Sequence, residues 1–509
     1  MTLHPTTPLD ALSDPGLSRA QAGGEEVVLV RQGEQVRAFQ ANCPHAGAPL
    51  EDGALCQGVL VCPWHKAAFR LDDGSVCEPP ALAGLKRYAT EVRDGMVWVD
   101  DQPLALPTLP RRGKDRCFVV VGAGAAGAAA VATLRGEGFA GRLVWIDPEP
   151  QPAYDRTALS KFVIAGEMSP EDVPPLLERD FVRGADLDRI QGKVRSVDPE
   201  RRLMVLADGR KLNYDAALLA TGAAPERPDL PGAALPGVFV LRSREDAARL
   251  ADAIEPGEPV VIVGDSFIGL EAAAALCTAG AQVHVVARHD IPLVRQLGEC
   301  VGQALRALHV RHGVIFHSPA EPVRFEGDRQ VEAVVLDSGE RIAARQVVLG
   351  TGVRPASDLL TALRSEDGTL PVDAGMRLAD GLWAAGDLVS FPFDARQVHI
   401  EHWRVAQQHG VIAAANMLGQ KRSYTDVPFF WTYHYGRNLE VLGHAQAWNR
   451  IEHVGDPEGL AFLALLCVDE QVEAVVACER SRAMAVLSQR MKRPLGYEEA
   501  MGLSQEWVD

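Results

Sequence analysis

Two stretches of the chain have the pattern of a buried β-strand, a glycine-rich turn and a helix, and no other feature constrains the fold as strongly. The first runs from apolar residues 118–121 through Gly122-Ala-Gly124-Ala-Ala-Gly127 into an alanine-rich segment. Glycines in such a turn let a dinucleotide pyrophosphate approach backbone N–H groups at the start of the helix. A similar turn follows apolar residues 261–263, so we predict two successive α/β units.

The strand that follows the first turn ends in acidic residues. Residues 142–146 are mainly apolar, and Asp147 and Glu149 come directly after them. In a dinucleotide site, an acid about 20 residues beyond the turn hydrogen-bonds a ribose hydroxyl. Pro148 makes this strand end irregular, so either Asp147 or Glu149 could take that role.

The second turn extends from Gly264 to Gly269 and has Ser266 where the first turn has its middle glycine. Serine is small enough for close approach of a pyrophosphate, so we expect a second dinucleotide site here. The following strand, residues 283–286, lacks a terminal acid, and Arg288 could instead meet a 2′-phosphate. Arg288 could equally be a solvated surface residue, so both NADH and NADPH stay open as the nicotinamide.

Four candidate metal ligands, Cys43, His45, Cys62 and His65, have the spacing C-x-H-x16-C-x2-H. Two thiolates and two imidazoles from two short loops are the ligands of a Rieske 2Fe-2S centre, with cysteines on one iron and histidines on the other. A structural zinc site is the alternative, but a zinc finger groups its cysteines together and its histidines together. Short strands broken by Gly and Pro over residues 25–101 predict a small all-β domain around these loops.

The composition limits which binding partners and which cellular compartment we expect for this protein. The 509 residues carry a net charge of −17, which disfavours binding to nucleic acid or to an anionic membrane surface. Neither a signal-peptide core nor an uncharged apolar run long enough for a membrane span is found, so we expect no membrane insertion. The nine scattered cysteines do not suggest a disulfide framework, and we expect a cytoplasmic protein.

Further short motifs accompany the glycine turns. They are Tyr154-Asp-Arg156-Thr-Ala-Leu-Ser-Lys161, Ala220-Thr221-Gly222, Gly350-Thr-Gly352 and Ala384-Ala-Gly386-Asp387. With these motifs the chain resembles the FAD-dependent pyridine nucleotide reductases. Within that group it is similar to the oxygenase-coupled ferredoxin reductases and to apoptosis-inducing-factor-like proteins with an N-terminal Rieske domain. It lacks the C-x-x-C or C-x4-C of the disulfide-containing reductases after the first turn.

The resemblance implies a multidomain protein of the glutathione-reductase type, in which the first turn binds FAD and the second binds NAD(P)H. We therefore expect an N-terminal all-β Rieske domain, two Rossmann-like α/β domains and a C-terminal α+β domain. The predicted boundaries are 1–104 for the Rieske domain, 105–115 for a linker, 116–240 with 356–425 for the FAD domain, 241–355 for the NAD(P)H domain and 426–509 for a C-terminal interface domain.

The resemblance also implies contacts to the cofactors. Asp387 would hydrogen-bond the ribityl chain or the pyrophosphate-side hydroxyls of FAD, and Arg156 would lie near the pyrophosphate. The remaining cofactor contacts would come from Thr221, Gly222, Gly352 and Gly386.

Lys161 would lie beside the flavin and pair with Glu271. Such a lysine stabilises negative charge on a reduced flavin, and the glutamate keeps it charged and fixed; an ordinary interdomain salt bridge is the alternative. Trp431 matches an aromatic contact to the flavin and could equally be an interface residue. Lys66 follows His65 where many Rieske proteins have glycine. A cation there could raise the cluster potential or meet a partner, but we expect Lys66 to face solvent.

A hydride carries two electrons whereas a 2Fe-2S cluster accepts one, so a flavin between them is a chemical requirement. We expect an NAD(P)H-dependent flavoprotein reductase that passes electrons via FAD to its own Rieske cluster and on to an oxygenase or a cytochrome. The alternative is an NAD(P)H-responsive redox sensor of the apoptosis-inducing-factor type with incidental turnover. A homodimer is compatible with both, and the cluster could dock on its own chain or on a neighbouring subunit.

Overall fold

The N-terminal part of the protein consists of two antiparallel sheets. The computed structural model describes residues 2–105, 116–394 and 396–505. The larger sheet has the strand order Leu3–Pro8, Met96–Pro103, Arg87–Arg93, Gln35–Gln40, Glu25–Gln32 and Gly16–Ala22. The smaller sheet contains Ala54–Cys56, Val59–Val61, Ala68–Arg70 and Val76–Glu78, and short 3-10 helices lie at Leu9–Ala11 and Leu50–Asp52. This confirms the predicted all-β fold, while residues 106–115 of the predicted linker lie outside the described residues.

The first α/β unit is built around a six-stranded, mainly parallel sheet. Its strand order is Leu187–Gln191, Arg142–Asp147, Cys117–Val121, Ala216–Leu219, Leu382–Ala384 and Arg377–Ala379. Helix Ala125–Gly136 follows the first glycine turn and packs against helix Trp403–Met417. The helices touch at Gly410, where an added Cβ would lie 2.1 Å from the carbonyl oxygen of Ala126. Close packing of this pair fixes the position of the turn that precedes the first helix.

The second α/β unit has a five-stranded sheet in which all strands are parallel. Its strand order is Val238–Phe239, Gln346–Leu349, Pro259–Val263, Gln282–Val286 and Ile315–His317. Its helices are Arg244–Ala253, Phe267–Thr278, Val294–Leu297 and Glu299–Arg311. The strands are almost continuously apolar, as expected for parallel strands covered on both faces.

Smaller elements connect the two units. Two three-stranded sheets contain Val194–Asp198, Leu203–Leu206 and Lys211–Asn213, and Pro322–Glu326, Ala333–Leu336 and Arg341–Ala343. Further short strands are Ala223–Pro225, Val353–Pro355, Leu370–Pro371, Val389–Phe393 and Arg396–Val398. The helical segments are the π-helix Leu159–Val163, the 3-10 helices Pro170–Asp172 and Asp358–Leu363, and the α-helix Arg179–Gly184.

The C-terminal part is an antiparallel sheet followed by two helices. The strand order is Phe429–His434, Arg437–Gly443, Gln471–Cys478, Ala461–Val468 and Arg450–Asp456, and the helices are Ser481–Arg490 and Tyr497–Gln505. The edge strand, which contains Trp431, contacts helix Phe267–Thr278 of the second α/β unit. The architecture confirms the predicted order of an all-β domain, two α/β units and an α+β domain. Across the described residues, no helix is both long and apolar enough to cross a membrane.

Candidate active site and cluster centre

The four predicted cluster ligands lie on two loops of the N-terminal domain with matching backbone conformations. The N–H group of Cys43 donates to the carbonyl of Ala48, and that of Cys62 donates to the carbonyl of Ala67, both at 2.8 Å. The loops bring the Nδ1 atoms of His45 and His65 to 3.1 Å from each other. The structure therefore brings all four predicted ligands together.

The ligands meet as one thiol pair and one imidazole pair. A hydrogen bond between the thiols raises the pKa of Cys43 and lowers that of Cys62. Burial lowers the pKa of His45 and His65, so both rings are neutral, which is the form that binds a metal. Among the described residues, no three His, Cys, Asp or Glu side chains are placed to hold one metal ion. Two separate pairs fit the two irons of a Rieske cluster better than a tetrahedral zinc.

A single large cavity of about 1430 Å³ contains most of the other predicted site residues. Those that line it are Gly122, Gly124, Asp147, Glu149, Arg156, Lys161, Thr221, Gly222, Ser266, Glu271, Gly352, Gly386, Asp387 and Trp431. Gly127, Gly264 and Gly269 belong to the two glycine turns but are not among the residues that line the cavity. Arg288 lies outside it, with an exposed side chain that pairs with Glu321 at 3.1 Å.

The first glycine turn has the shape expected for a pyrophosphate site. Gly122 has a φ of 110°, and an added Cβ would lie 2.1 Å from the carbonyl oxygen of Ala220. An added Cβ on Gly127 would lie 1.9 Å from the carbonyl oxygen of Gly122. By contrast, no atom lies within 4 Å of a Cβ built on Gly124. Gly124 thus leaves open space at the helix N-terminus, which is what bound FAD requires there.

Alanine substitutions should separate these two uses of glycine. We expect Gly127→Ala to lower the free energy of unfolding of the apoprotein by about 1–3 kcal/mol through overpacking. Gly124→Ala should change that free energy by less than about 0.5 kcal/mol but weaken FAD binding by about tenfold or more. Denaturant unfolding and fluorescence titration with FAD measure the two effects. Equal losses of stability in both variants would contradict this interpretation.

The two acids after the first unit's second strand have different partners. Asp147 accepts hydrogen bonds from the N–H groups of Ala123, at 2.6 Å, and Glu149, at 2.8 Å. Glu149 binds Arg156 at 2.6 Å and accepts a hydrogen bond from the Tyr154 hydroxyl at 2.7 Å. Asp147 therefore ties the strand end to the glycine turn, while Glu149 holds Arg156 at the cavity wall. That Asp147 or Glu149 binds the ribose stays a prediction, and both residues remain candidates.

Ser266 does more in the second turn than replace a glycine. Its hydroxyl accepts a hydrogen bond from the N–H of Gly269 at 3.2 Å and donates to the carbonyl of Gly350 at 3.1 Å. It therefore caps helix Phe267–Thr278 and ties the turn to the neighbouring strand end. This explains how the turn keeps its shape without the middle glycine.

Lys161 and Glu271 form a buried ion pair across the two α/β units, with Nζ 3.0 Å from Oε1. The carboxylate also accepts hydrogen bonds from the Ser160 hydroxyl, from the Thr432 hydroxyl at 3.2 Å and from the Tyr433 N–H at 2.9 Å. A carboxylate that accepts hydrogen bonds from four donors is held in one position. The predicted pair is thus formed, and it places the Lys161 ammonium at the cavity wall.

Trp431 lies between this ion pair and the cluster loops. Its ring centroid is 4.2 Å from that of His65, and the Lys161 ammonium lies 5.9 Å from the ring centroid. On the other histidine, Nε2 of His45 lies 3.8 Å from a carboxylate oxygen of Asp155, next to Arg156. Each imidazole therefore lies beside a residue at the cavity wall or next to it in the sequence.

The prediction that Lys66 faces solvent is wrong. Lys66 is fully buried, and its ammonium binds the Glu440 carboxylate at 2.8 Å and donates to the Ser481 carbonyl at 3.2 Å. Its φ of 60° matches that of Gly47 at the same place in the other ligand loop, 78°. A lysine in this left-handed conformation is strained, so the surrounding contacts must hold it there.

Arg404 is the second buried cation between the cluster domain and the reductase. It donates to the carbonyl groups of Pro79 at 2.7 Å, Lys66 at 3.1 Å and Val427 at 3.4 Å, and it pairs with the Glu78 carboxylate. Sequence reasoning missed Arg404, Glu78 and Glu440. One feature of the sequence could have indicated this buried contact: Lys66 stands at a loop position where the backbone conformation favours glycine.

The fold and the cavity define a reductase with two dinucleotide turns and a docked all-β domain in which the four predicted cluster ligands lie together. Residues 117–410 match the family described as pyridine nucleotide-disulphide oxidoreductase, and residues 5–89 match the Rieske [2Fe-2S] domain. The chain belongs to the pyridine nucleotide-disulphide oxidoreductase family and carries a Rieske domain at its N-terminal end. It is an oxidoreductase that uses FAD and a pyridine nucleotide and has a 2Fe-2S cluster. No disulfide links any cysteines among the residues that the structure describes.

Individual relatives support the same assignment. The chain is 34% identical to apoptosis-inducing factor 3 of Homo sapiens over 92% of its own length and 80% of the relative. It is 34% identical to the biphenyl dioxygenase system ferredoxin–NAD(+) reductase component of Paraburkholderia xenovorans (strain LB400), over 72% of this chain and 91% of that one. The ferredoxin reductase for the CYP199A2 system of Rhodopseudomonas palustris has the same fold, with a TM-score of 0.72, 24% identity and coverage of 77% and 100%. These similarities confirm the resemblance inferred from the motifs.

Proposed function

We propose that this protein passes electrons from NAD(P)H, through FAD, to its own Rieske cluster and then to a protein acceptor. The observation that carries the proposal is the position of Trp431. Its side chain lines the cavity that contains the predicted nucleotide-binding residues, and it also contacts His65, a predicted cluster ligand. The predicted cluster ligands and the cavity therefore lie next to each other within one chain.

The residues of the cavity fit the separate tasks of this route. Bound FAD supplies the change from two-electron hydride transfer to one-electron transfer. The turn from Gly264 to Gly269 holds NAD(P)H, and the turn around Gly124 holds FAD. The Lys161 ammonium, held in position by Glu271, stabilises the negative charge that a reduced flavin carries in the cavity.

The acceptor beyond the cluster is inferred from the relatives. The Paraburkholderia relative is named as the ferredoxin–NAD(+) reductase component of a dioxygenase system. In the chain described here, a Rieske domain precedes the reductase and takes the place of a separate ferredoxin. The acceptor is therefore a redox protein such as an oxygenase or a cytochrome.

Anaerobic reduction tests this route directly. Addition of NADH or NADPH to the iron-replete holoprotein should bleach the flavin absorbance and produce the EPR signal of a reduced Rieske cluster. A Cys62→Ser variant, which lacks one cluster ligand, should show the bleaching without that signal. Bleaching of the wild-type protein without a cluster signal would rule the route out.

The similarity to apoptosis-inducing factor 3 over 92% of the chain favours a second candidate, a redox sensor with incidental turnover. In that case NAD(P)H would change the shape or oligomeric state of the protein, for example by forming a homodimer. Light scattering with and without NAD(P)H distinguishes the two. Nucleotide-dependent dimerisation with slow acceptor reduction favours the sensor, and rapid turnover at constant size favours the reductase.

A further inference from the structure

A chain of buried polar side chains leads from the Lys161–Glu271 pair away from the cavity. The Thr432 hydroxyl donates to Glu271 at 3.2 Å and lies 3.0 Å from Nε2 of His434. Nδ1 of His434 lies 3.3 Å from Nε2 of His309, and Nδ1 of His309 lies 3.4 Å from the Tyr435 hydroxyl. Every step is within hydrogen-bonding distance, so the chain is continuous from Glu271 to Tyr435.

The outer end of this chain reaches the protein surface. The Tyr435 ring stacks on the exposed His312, with ring centroids 3.7 Å apart and an interplanar angle of 6°. The Tyr435 hydroxyl also forms a hydrogen bond with the Cys277 thiol, and that thiol donates to the His312 carbonyl at 3.0 Å. Glu271, Thr432, His434 and His309 are buried, whereas Tyr435 and Cys277 are half-buried.

The side chains between Glu271 and the surface are of the types that relay protons. A hydroxyl group both donates and accepts, and a neutral imidazole has one donor and one acceptor nitrogen. Burial lowers the pKa of His309 and, to about 3, that of His434, so both rings are neutral. Hydroxyl rotation and exchange of imidazole tautomers can therefore reverse each link.

We propose that Thr432, His434, His309 and Tyr435 form a proton path between Glu271 and solvent. The proposal rests on the proposed electron route, in which NAD(P)H and two oxidised clusters yield NAD(P)⁺, two reduced clusters and one proton. A hydride brings two electrons and a proton into the cavity, and the cluster takes only electrons. One proton for each NAD(P)H must therefore leave the cavity.

Two conservative substitutions break the path while leaving its packing nearly intact. Tyr435→Phe removes the outer hydroxyl. His309→Gln keeps one donor and one acceptor, but an amide cannot exchange tautomers as imidazole does. The matched control is His284→Gln, because His284 and His317 form another close histidine pair, 2.9 Å apart, outside the cavity lining.

The holoenzyme is mixed anaerobically with NAD(P)H and ferricyanide while a pH indicator follows proton release. We expect proton release and ferricyanide reduction to slow by about tenfold in both path variants, with a larger D₂O isotope effect. Flavin bleaching without acceptor should stay within about twofold of wild type, because hydride transfer needs no proton from solvent. Rates and isotope effects equal to those of His284→Gln would overturn the proton path.

A second measurement does not depend on turnover. In protein with ¹⁵N-labelled histidine, Tyr435→Phe should shift the ring signals of His309 and His434 and leave those of His284 and His317 unchanged. Unshifted His309 signals would show that the outer link is not formed. If NAD(P)H does not reduce the cluster of the wild-type protein at all, the proposed electron route is wrong. If the cluster is reduced, the comparison of the path variants with wild type and with His284→Gln tests the proton path alone.

Discussion

Replacing Trp431 by alanine is expected to slow reduction of the Rieske cluster by about a hundredfold, which corresponds to roughly 3 kcal/mol in the barrier. The reason is its position: the indole contacts His65 and extends to the cavity wall beside Lys161. Alanine would leave a gap between the cavity and the imidazole. Stopped-flow absorbance under anaerobic conditions, with freeze-quench EPR of the cluster, measures the change.

Flavin bleaching by NAD(P)H should remain within about threefold of wild type in Trp431→Ala, because the residue is not part of either glycine turn. Trp431→Phe, which keeps an aromatic ring against His65, should recover most of the rate. Trp448→Ala is the matched control, because that tryptophan packs in another part of the same C-terminal domain. Cluster reduction at the wild-type rate in Trp431→Ala would show that electrons reach the cluster by another way.

Removing the partner of Lys66 should have the largest effect on stability. We expect Glu440→Leu to lower the free energy of unfolding by about 3–5 kcal/mol, because an ammonium would be left buried without a counter-charge. Lys66 and Glu440 have side-chain exposures of 0% and 2%, so water cannot replace the lost carboxylate. Denaturant unfolding followed by tryptophan fluorescence measures the loss.

The double variant Lys66→Met/Glu440→Leu should recover most of that stability, because replacing both members of a buried pair by apolar residues is often neutral. The control is Asp380→Ala at the exposed Arg202–Asp380 pair, for which we expect a change of about 1 kcal/mol or less. A loss in Glu440→Leu no larger than in this control would mean that the domains are not held together by the buried pair.

The shape of the glycine turns and the meeting of the four candidate cluster ligands could be predicted from the sequence because both depend on short segments of the chain. Gly122 and Gly127 need a conformation or a contact that only glycine allows, and the four ligands come from two loops of a few residues each. The pairing of Lys161 with Glu271 was predicted only through the resemblance, because 110 residues separate them in the chain.

The failures concern contacts between distant segments. Lys66 was expected to face solvent because its partner, Glu440, is 374 residues away, and no periodicity links them. The same holds for Arg404 and Glu78, which belong to different domains. His309 and His434 gave no signal, since isolated histidines on a helix and a strand resemble core residues. For Arg288 the sequence left both a 2′-phosphate contact and a solvated surface position open, and the structure shows an exposed side chain outside the cavity lining.

Arg404 fastens the Rieske domain to the reductase through carbonyl groups on both sides of their boundary. A donor and an acceptor anchored in this way need no diffusional encounter. Their internal electron exchange should therefore be first order, unaffected by dilution of the enzyme and nearly insensitive to ionic strength, unlike exchange between a reductase and a free carrier.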